Sequence, residues 1–153
     1  MMLLLTAAVA SADGREPETA LLNALLAAVG VDDPAALVPW AARATPADYA
    51  ALAPTVMRVA GAGDNRAVSL LTLAVEELVL HVRTLGRALF VDERAAVPVA
   101  LAGGLLSRGS GLRRRFEQRL RSAVPGAHLR HEAVDPARGA VRGALRLVGV
   151  ELT

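Results

Sequence analysis

An α/β fold, mostly helical and closing on a short parallel βαβα unit, is what the sequence predicts, on three observations. Apolar residues recur every three or four positions from Pro17 to Leu89, the period of amphipathic helices. The continuous apolar run Ala96-Val97-Pro98-Val99-Ala100-Leu101 follows, between a charged loop and the pair Gly103-Gly104, as a strand buried on both faces of a parallel sheet would be. Composition agrees. The 153 residues are 54% hydrophobic and 21% charged, with mean hydropathy +0.40, so the chain must bury a core rather than stay disordered.

The elements follow in order. Met1 to Ala12 is an apolar run ending in Ala10-Ser11-Ala12, the small-x-small pattern of a signal-peptidase site. No Arg or Lys precedes it, and Asp13-Gly14-Arg15-Glu16-Pro17 reads as a helix stop and turn, which favours a cytoplasmic chain. Every apolar run falls short of the roughly 18 residues that a membrane span needs. Pro17 to Val29 reads as a helix with Leu21, Leu22, Leu25, Leu26 and Val29 at helical spacing, ended by Gly30. Asp32 or Asp33 then caps a short helix carrying Leu37, Val38 and Trp40, with Pro34 at its first position. Thr45-Pro46 opens another that runs through Tyr49, Leu52, Val56 and Val59 to about Ala60. Asp64 caps the longest helix, to Leu89, whose Val68, Leu71, Val75, Leu78, Val82, Leu85 and Leu89 alternate steps of three and four. Such a seam predicts seven buried side chains and makes this helix the organiser of the core. After the strand at 96–101 come a helix from about Ser110 to Val124, a second strand at 127–133 and a last helix opened by Asp135-Pro136.

Two absences narrow the chemistry. All 17 basic residues are arginine, and there is no lysine or cysteine. A Walker P-loop, a lysine Schiff base, a thiol nucleophile, a disulfide framework and a cysteine-ligated zinc site each lack their required atom. Net charge is only +2, yet Leu112 to Arg121 holds five arginines against Glu117, so basic character concentrates in that segment. With Leu112, Phe116 and Leu120 holding its inner side and aromatics at 3%, the segment reads as a solvated outer face rather than a nucleic-acid surface. Neither nucleic acid nor membrane is an expected partner.

Of the remaining candidates, Gly103-Gly104 is the most informative. It follows a strand, where open α/β sheets bind ligands, and glycine there admits a nucleotide without a Cβ in the way. A tight turn with no ligand explains it as well, and no GxGxxG pattern follows. His128 and His131 are three apart on an expected strand, so they point to opposite faces and do not form a metal pair. Ser107 and Ser110 lack a G-x-S-x-G context. Asp32-Asp33 and Glu76-Glu77 read as a cap and as the polar side of the long helix.

In sequence order, Ala12-Asp13-Gly14-Arg15 with Pro17 and Thr19-Ala20-Leu21, Ala50-x-Leu52-Ala53-Pro54-x-Val56, Gly63-Asp64, Leu101-Ala102-Gly103-Gly104-Leu105 and Asp135-Pro136-x-x-Gly139-Ala140 form a set of motifs. Together they resemble the C-terminal half of the BadF/BadG/BcrA/BcrD-type ATPase family, which includes N-acetylglucosamine kinases, in the actin-like ATPase superfamily. The resemblance covers nearly the whole chain. It implies a single, incomplete ribonuclease H-like C-terminal lobe over 1–153, helical over 1–90 and βαβα over 96–150. It also implies ATP as cofactor, with Mg²⁺ in the intact family enzyme, and makes Gly103, Gly104 and Ala50 nucleotide contacts. By the same likeness Asp64 is structural, Gly139 lets the last helix pack closely on the sheet, and Met1 to Ala12 is the remnant of an internal helix. The family's Asp-Gly-Gly-x-Thr phosphate loop, second phosphate motif and catalytic Asp are not among these residues, so no catalytic residue is assigned. The resemblance therefore implies a truncated sugar-kinase-like ATPase lobe, inactive alone. Half of a split kinase complemented by an N-terminal lobe, and a helical interaction module, are the alternatives. Missing sheet strands predict self-association through an uncovered edge.

Overall fold

The computed structural model describes residues 2–15, 17–90, 96–130, 132 and 134–149. It is mostly helical with one two-stranded parallel sheet. The chain forms two compact units, Met1–Leu78 and Val79–Thr153.

The first unit is all helix among its described residues: α1 (Met2–Ala12), α2 (Ala20–Val29), α3 (Leu37–Arg43), α4 (Pro46–Ala51), α5 (Ala53–Gly61) and the start of α6 (Asn65–Leu89). A 3-10 turn at Pro34–Ala36 precedes α3, capped by Asp33, whose side chain accepts from the Ala35 N–H. The core centres on α2. Leu21 and Leu25 are fully buried with Leu52, Val56, Val59, Ala60 and Ala67, while Leu26 on another side of α2 packs with Leu5 and Leu37. Because α2 supplies Leu21 and Leu25 to one buried cluster and Leu26 to the other, α2, and not α6, links the core of this unit, while its Ala20, Asn23, Ala27 and Ala28 stay exposed. Near α3 and α4, Trp40 and Tyr49 meet edge to face at 5.3 Å, and the Tyr49 hydroxyl donates to the Ala41 carbonyl.

Three boundaries differ from the sequence expectation, each for a local reason. The helix expected from Pro17 starts at Ala20, because Thr19 is its cap and accepts from the Leu21 N–H. Expected as one helix, 45–60 breaks at Leu52 into α4 and α5. Pro54 supplies no N–H to the Ala50 carbonyl, so the helical ladder cannot continue through it. On α6 only Val75 of the seven expected seam residues is buried: Val68, Leu71, Leu78 and Val82 are half-buried, and Leu85 is 59% and Leu89 72% exposed, while Val79 and Gly86, outside the seam, are buried. A strict seven-residue repeat stays on one face only if the helix supercoils. On a straight helix such a repeat drifts about 20° per heptad, so by Leu85 and Leu89 it has turned away from the side on which Val75, Val79 and Gly86 lie.

The second unit holds the end of α6, then β1 (Val97–Val99), α7 (Gly111–Ala123), β2 (Ala127–Leu129) and α8 (Pro136–Leu147). The two strands pair in parallel with Pro98 opposite His128, giving the expected βαβα order. Burial on both faces is not found. Val97, Val99, Ala127 and Leu129 are half-buried, but Pro98 and His128 are exposed, so one face of the sheet is open. The strands are also shorter than the expected 96–101 and 127–133, and His131 and Ala133 of the second lie outside the described residues. On the covered side a Cβ at Gly86 would stand 3.7 Å from a Val97 methyl, ordinary contact that sets α6 against β1. Beside β2 lies α7, with Leu112, Phe116 and Leu120 buried as the sequence predicts. No residue of α8 is buried, and a Cβ at Gly139 would meet nothing within 4 Å, so the expected close packing of this helix is absent.

Candidate functional site

The glycine pair sits where the motif predicted, at the carboxyl end of β1. Gly103 has φ 96° and ψ 159°, a backbone region that only glycine enters readily, so this position requires glycine for conformation alone. Gly104 does not. It lies in ordinary backbone space, and a Cβ built on it would meet no atom within 4 Å.

The segment that follows is held from behind by α7. Ser110 Oγ donates to the Leu105 carbonyl at 2.6 Å, and Arg113 Nη1 to the Leu106 carbonyl at 3.2 Å. Arg113 is fixed in turn by Glu117 one helical turn on, at 2.7 Å, with both side chains mostly covered. Arg114 Nη1 donates to the Gly109 carbonyl at 2.8 Å. Three carbonyls are thus tied back by side chains, while among the described residues no acceptor meets the N–H groups of Gly104 and Leu105. No acidic residue occurs between Gly103 and Arg115, where Arg108, Arg113, Arg114 and Arg115 lie, so the local field is positive. Backbone amides left without acceptors in a basic stretch can receive anionic groups.

Ala50 belongs to the first unit. It is exposed near the end of α4, beside the break that Pro54 imposes. The polar residues at the other end of α4 act structurally. Thr45 and Asp48 form a reciprocal capping box, in which the Thr45 hydroxyl and N–H hold the Asp48 carboxyl below the usual carboxylate range.

Asp64 has a larger role than the helix cap that the sequence suggests. One carboxylate oxygen accepts from the Ala67 N–H of α6 at 2.9 Å. The same carboxylate accepts from the Thr19 hydroxyl at 2.8 and 2.9 Å and from the Ala20 N–H at 2.9 Å. One side chain therefore satisfies the N-termini of α2 and α6 together. Burial pushes its carboxyl up, but the Ala67, Thr19, Ala20 and Arg66 donors outweigh that and hold it below the ordinary range. A threonine directly before an apolar helical run is a cap signal in the sequence, but its partner 45 residues away is not. Asp13, after α1, is likewise held low by Arg15, whose Nε donates to it at 2.8 Å.

A cleft of about 650 Å³ lies at the N-terminus of α2, lined by Ser11, Glu18, Thr19, Asn23 and Pro34 among others. Neither Ala50 nor the glycine pair lines it. No single helix among the described residues is long and apolar enough to cross a membrane. Comparison with models of known families, with curated proteins and with solved structures found no match to this chain.

Proposed function

We propose that this chain is an incomplete ribonuclease H-like lobe of an N-acetylglucosamine kinase-type ATPase, which offers the adenosine side of a nucleotide cleft and performs no phosphoryl transfer alone. The observation that carries this reading is the glycine pair on a parallel βαβ turn. Gly103 is accounted for by its backbone, but Gly104 is required by neither conformation nor packing. Close approach of a ligand to the backbone would account for it. The turn fits a nucleotide in two further respects: its N–H groups are free of acceptors among the described residues, and its surroundings are basic.

ATP bound there would supply the transferable phosphoryl group, with Mg²⁺ to neutralise it. This chain's residues would hold the nucleoside through the turn, which Ser110 and Arg113 keep in shape. The phosphate loop and catalytic Asp that the resemblance implies would come from another lobe. Saturation-transfer NMR on the full chain with millimolar ATP tests the reading. Signal on the adenine protons, lost in Gly104→Phe while β1 and α7 stay folded, is expected. Absence of transfer in the unsubstituted chain overturns it, as does transfer that Gly104→Phe leaves intact.

The open sheet favours the related reading, half of a split kinase. Val97 N–H donates to the Gly126 carbonyl and Val99 O accepts from the Arg130 N–H, both at 2.8 Å, so these residues face β2 and Pro98 faces the other edge. Proline survives in a strand only on such an edge. Antiparallel pairing with a second copy centred on Pro98 would lack donors, so this edge is guarded against the expected self-association. A lobe that covers the open face of the sheet, rather than adding a strand at this edge, is the occupant this reading requires. Sugar-dependent ADP release by the chain alone would refute both readings; release only after adding a lobe with the Asp-Gly-Gly-x-Thr loop would select the second.

A further inference from the structure

The most amphipathic of the described helices is also the one with no buried residue, which is the reverse of what a helix packed on a protein core shows. On α8, residues advance about 100° per position. Ala137, Ala140, Val141, Ala144, Leu145 and Val148 therefore share one broad side, extended by Leu147. Val141 is 58%, Leu147 89% and Val148 73% exposed. Arg138, Arg142 and Arg146, four apart, run as a stripe along one border of that side, and the remaining sector is Gly139, Gly143 and Pro136. The helix contains no acidic residue, and Asp135 before it is engaged as its N-cap by the Arg138 N–H. Its unit, Val79–Thr153, carries thirteen arginines against six acids, net +7.

From this pattern we infer that α8 is a docking helix for an anionic lipid surface. Charge complementarity selects that occupant. A basic stripe along an apolar side, with small residues on the far side, is how a helix lies in the plane of a bilayer interface: arginines reach lipid phosphates and the apolar side sinks among the acyl chains. The sequence expectation of no membrane partner rested on the lack of a span, and surface docking needs none. The inference is independent of nucleotide binding at the glycine pair.

Vesicle co-sedimentation of the full chain is the test, comparing phosphatidylserine-containing with purely zwitterionic vesicles. Binding to the anionic vesicles alone is expected. The triple variant Arg138→Gln, Arg142→Gln, Arg146→Gln should weaken it on the order of 100-fold, at roughly fivefold per arginine near such a surface. Arg115→Gln with Arg121→Gln, on the exposed side of α7, controls for diffuse attraction and should cost far less. Because the chain has no cysteine, Ala144→Cys and Gly143→Cys can each carry one environment-sensitive fluorophore. A blue shift at 144 and none at 143 is expected with anionic vesicles. Four results would overturn the inference: no binding to anionic vesicles, equal loss in the α7 control, equal shifts at the two labels, or a concentration-dependent dimer that Val141→Ser with Leu147→Ser abolishes. The last would make a second copy the occupant. Since α8 buries nothing, none of these variants threatens folding.

Discussion

The two units solve the same problem, hiding apolar surface, with unequal success. In Met1–Leu78, buried side chains come from every helix except α4, and α2 contributes to both buried clusters. In Val79–Thr153 the buried apolar side chains among the described residues are Val79, Leu112, Phe116 and Leu120. Of ten large apolar side chains left substantially exposed among the described residues, eight belong to this second unit. Charge divides the same way. Four arginines face nine acids in the first unit, net −5, against +7 in the second. The first unit is thus a finished helical core with an acidic surface, while the second is a basic surface with an open sheet face and an unpacked helix. The second unit therefore leaves much more apolar area in water than the first.

Substitutions can break or sharpen that contrast. The largest effect is expected at Leu25, fully buried in α2: Leu25→Ala should cost about 2 to 5 kcal/mol in urea unfolding. Leu147→Ala should stay within about 0.5 kcal/mol, as an exposed position does. A comparable cost at both would mean that α8 is packed and the contrast false.

Asp64→Ala comes next, at about 2 kcal/mol, since it removes one helix cap and strips the Thr19 hydroxyl and Ala20 N–H of their acceptor. The pH dependence has a definite sign. Because the folded carboxyl titrates below its unfolded value of about 3.9, its stabilisation is complete above that pH and is lost as pH falls through the lower folded value. The gap between the unsubstituted chain and Asp64→Asn should therefore narrow under acid. A gap that is constant down to pH 2, or that widens, would show the carboxylate to be immaterial.

A smaller contrast lies inside the second unit. Gly103→Ala should cost about 1 to 2 kcal/mol through backbone strain, and Gly104→Ala almost nothing. Equal costs would remove the argument that Gly104 is held by something other than the fold. The smallest effect is expected at Arg113→Gln. Losing its half-buried pair with Glu117 and its bond to Leu106 should cost about 1 kcal/mol, with faster amide exchange confined to 103–107. Exchange spreading into α2 would contradict a local role.

Much of the fold was legible from end to end along the chain. Thr45, Asp64 and Asp135 cap helices as read, and Asp33 does so of the two candidates Asp32 and Asp33, because a cap is a bond between residues two or three apart and needs no knowledge of the rest. The parallel βαβα order was legible too, since a strand, a turn and an amphipathic helix each have a local period. What failed was reach. Leu85 and Leu89 continue the pattern of α6 yet face water, and Pro98 sits in an apolar run that reads as interior yet lies on an edge with one face open. Pattern records which side chains could be buried, but not whether anything arrives to bury them.

The candidate site divides along the same line. Gly103 could be named from sequence because a glycine pair after a strand is a local signal, and its positive φ gives a local reason for it. That Ser110, Arg113 and Arg114 each tie back a carbonyl of the following segment could not be seen, because serine and arginine on a helix have many other uses. Ala50 was assigned from the resemblance alone; the structure adds only that Pro54 shapes its surroundings.

By itself, then, the sequence determined most of the helices, the caps at Thr45, Asp64 and Asp135, the parallel strand pair and the absence of lysine and cysteine chemistry, since all of these follow from residue identity and short-range bonding. Only tertiary structure decided that Asp64 joins two helix ends 45 residues apart, that α2 serves both buried clusters of its unit, and that α8, the most amphipathic, buries no residue. Those outcomes depend on which surfaces meet in space, and burial is a property of the neighbour as much as of the residue.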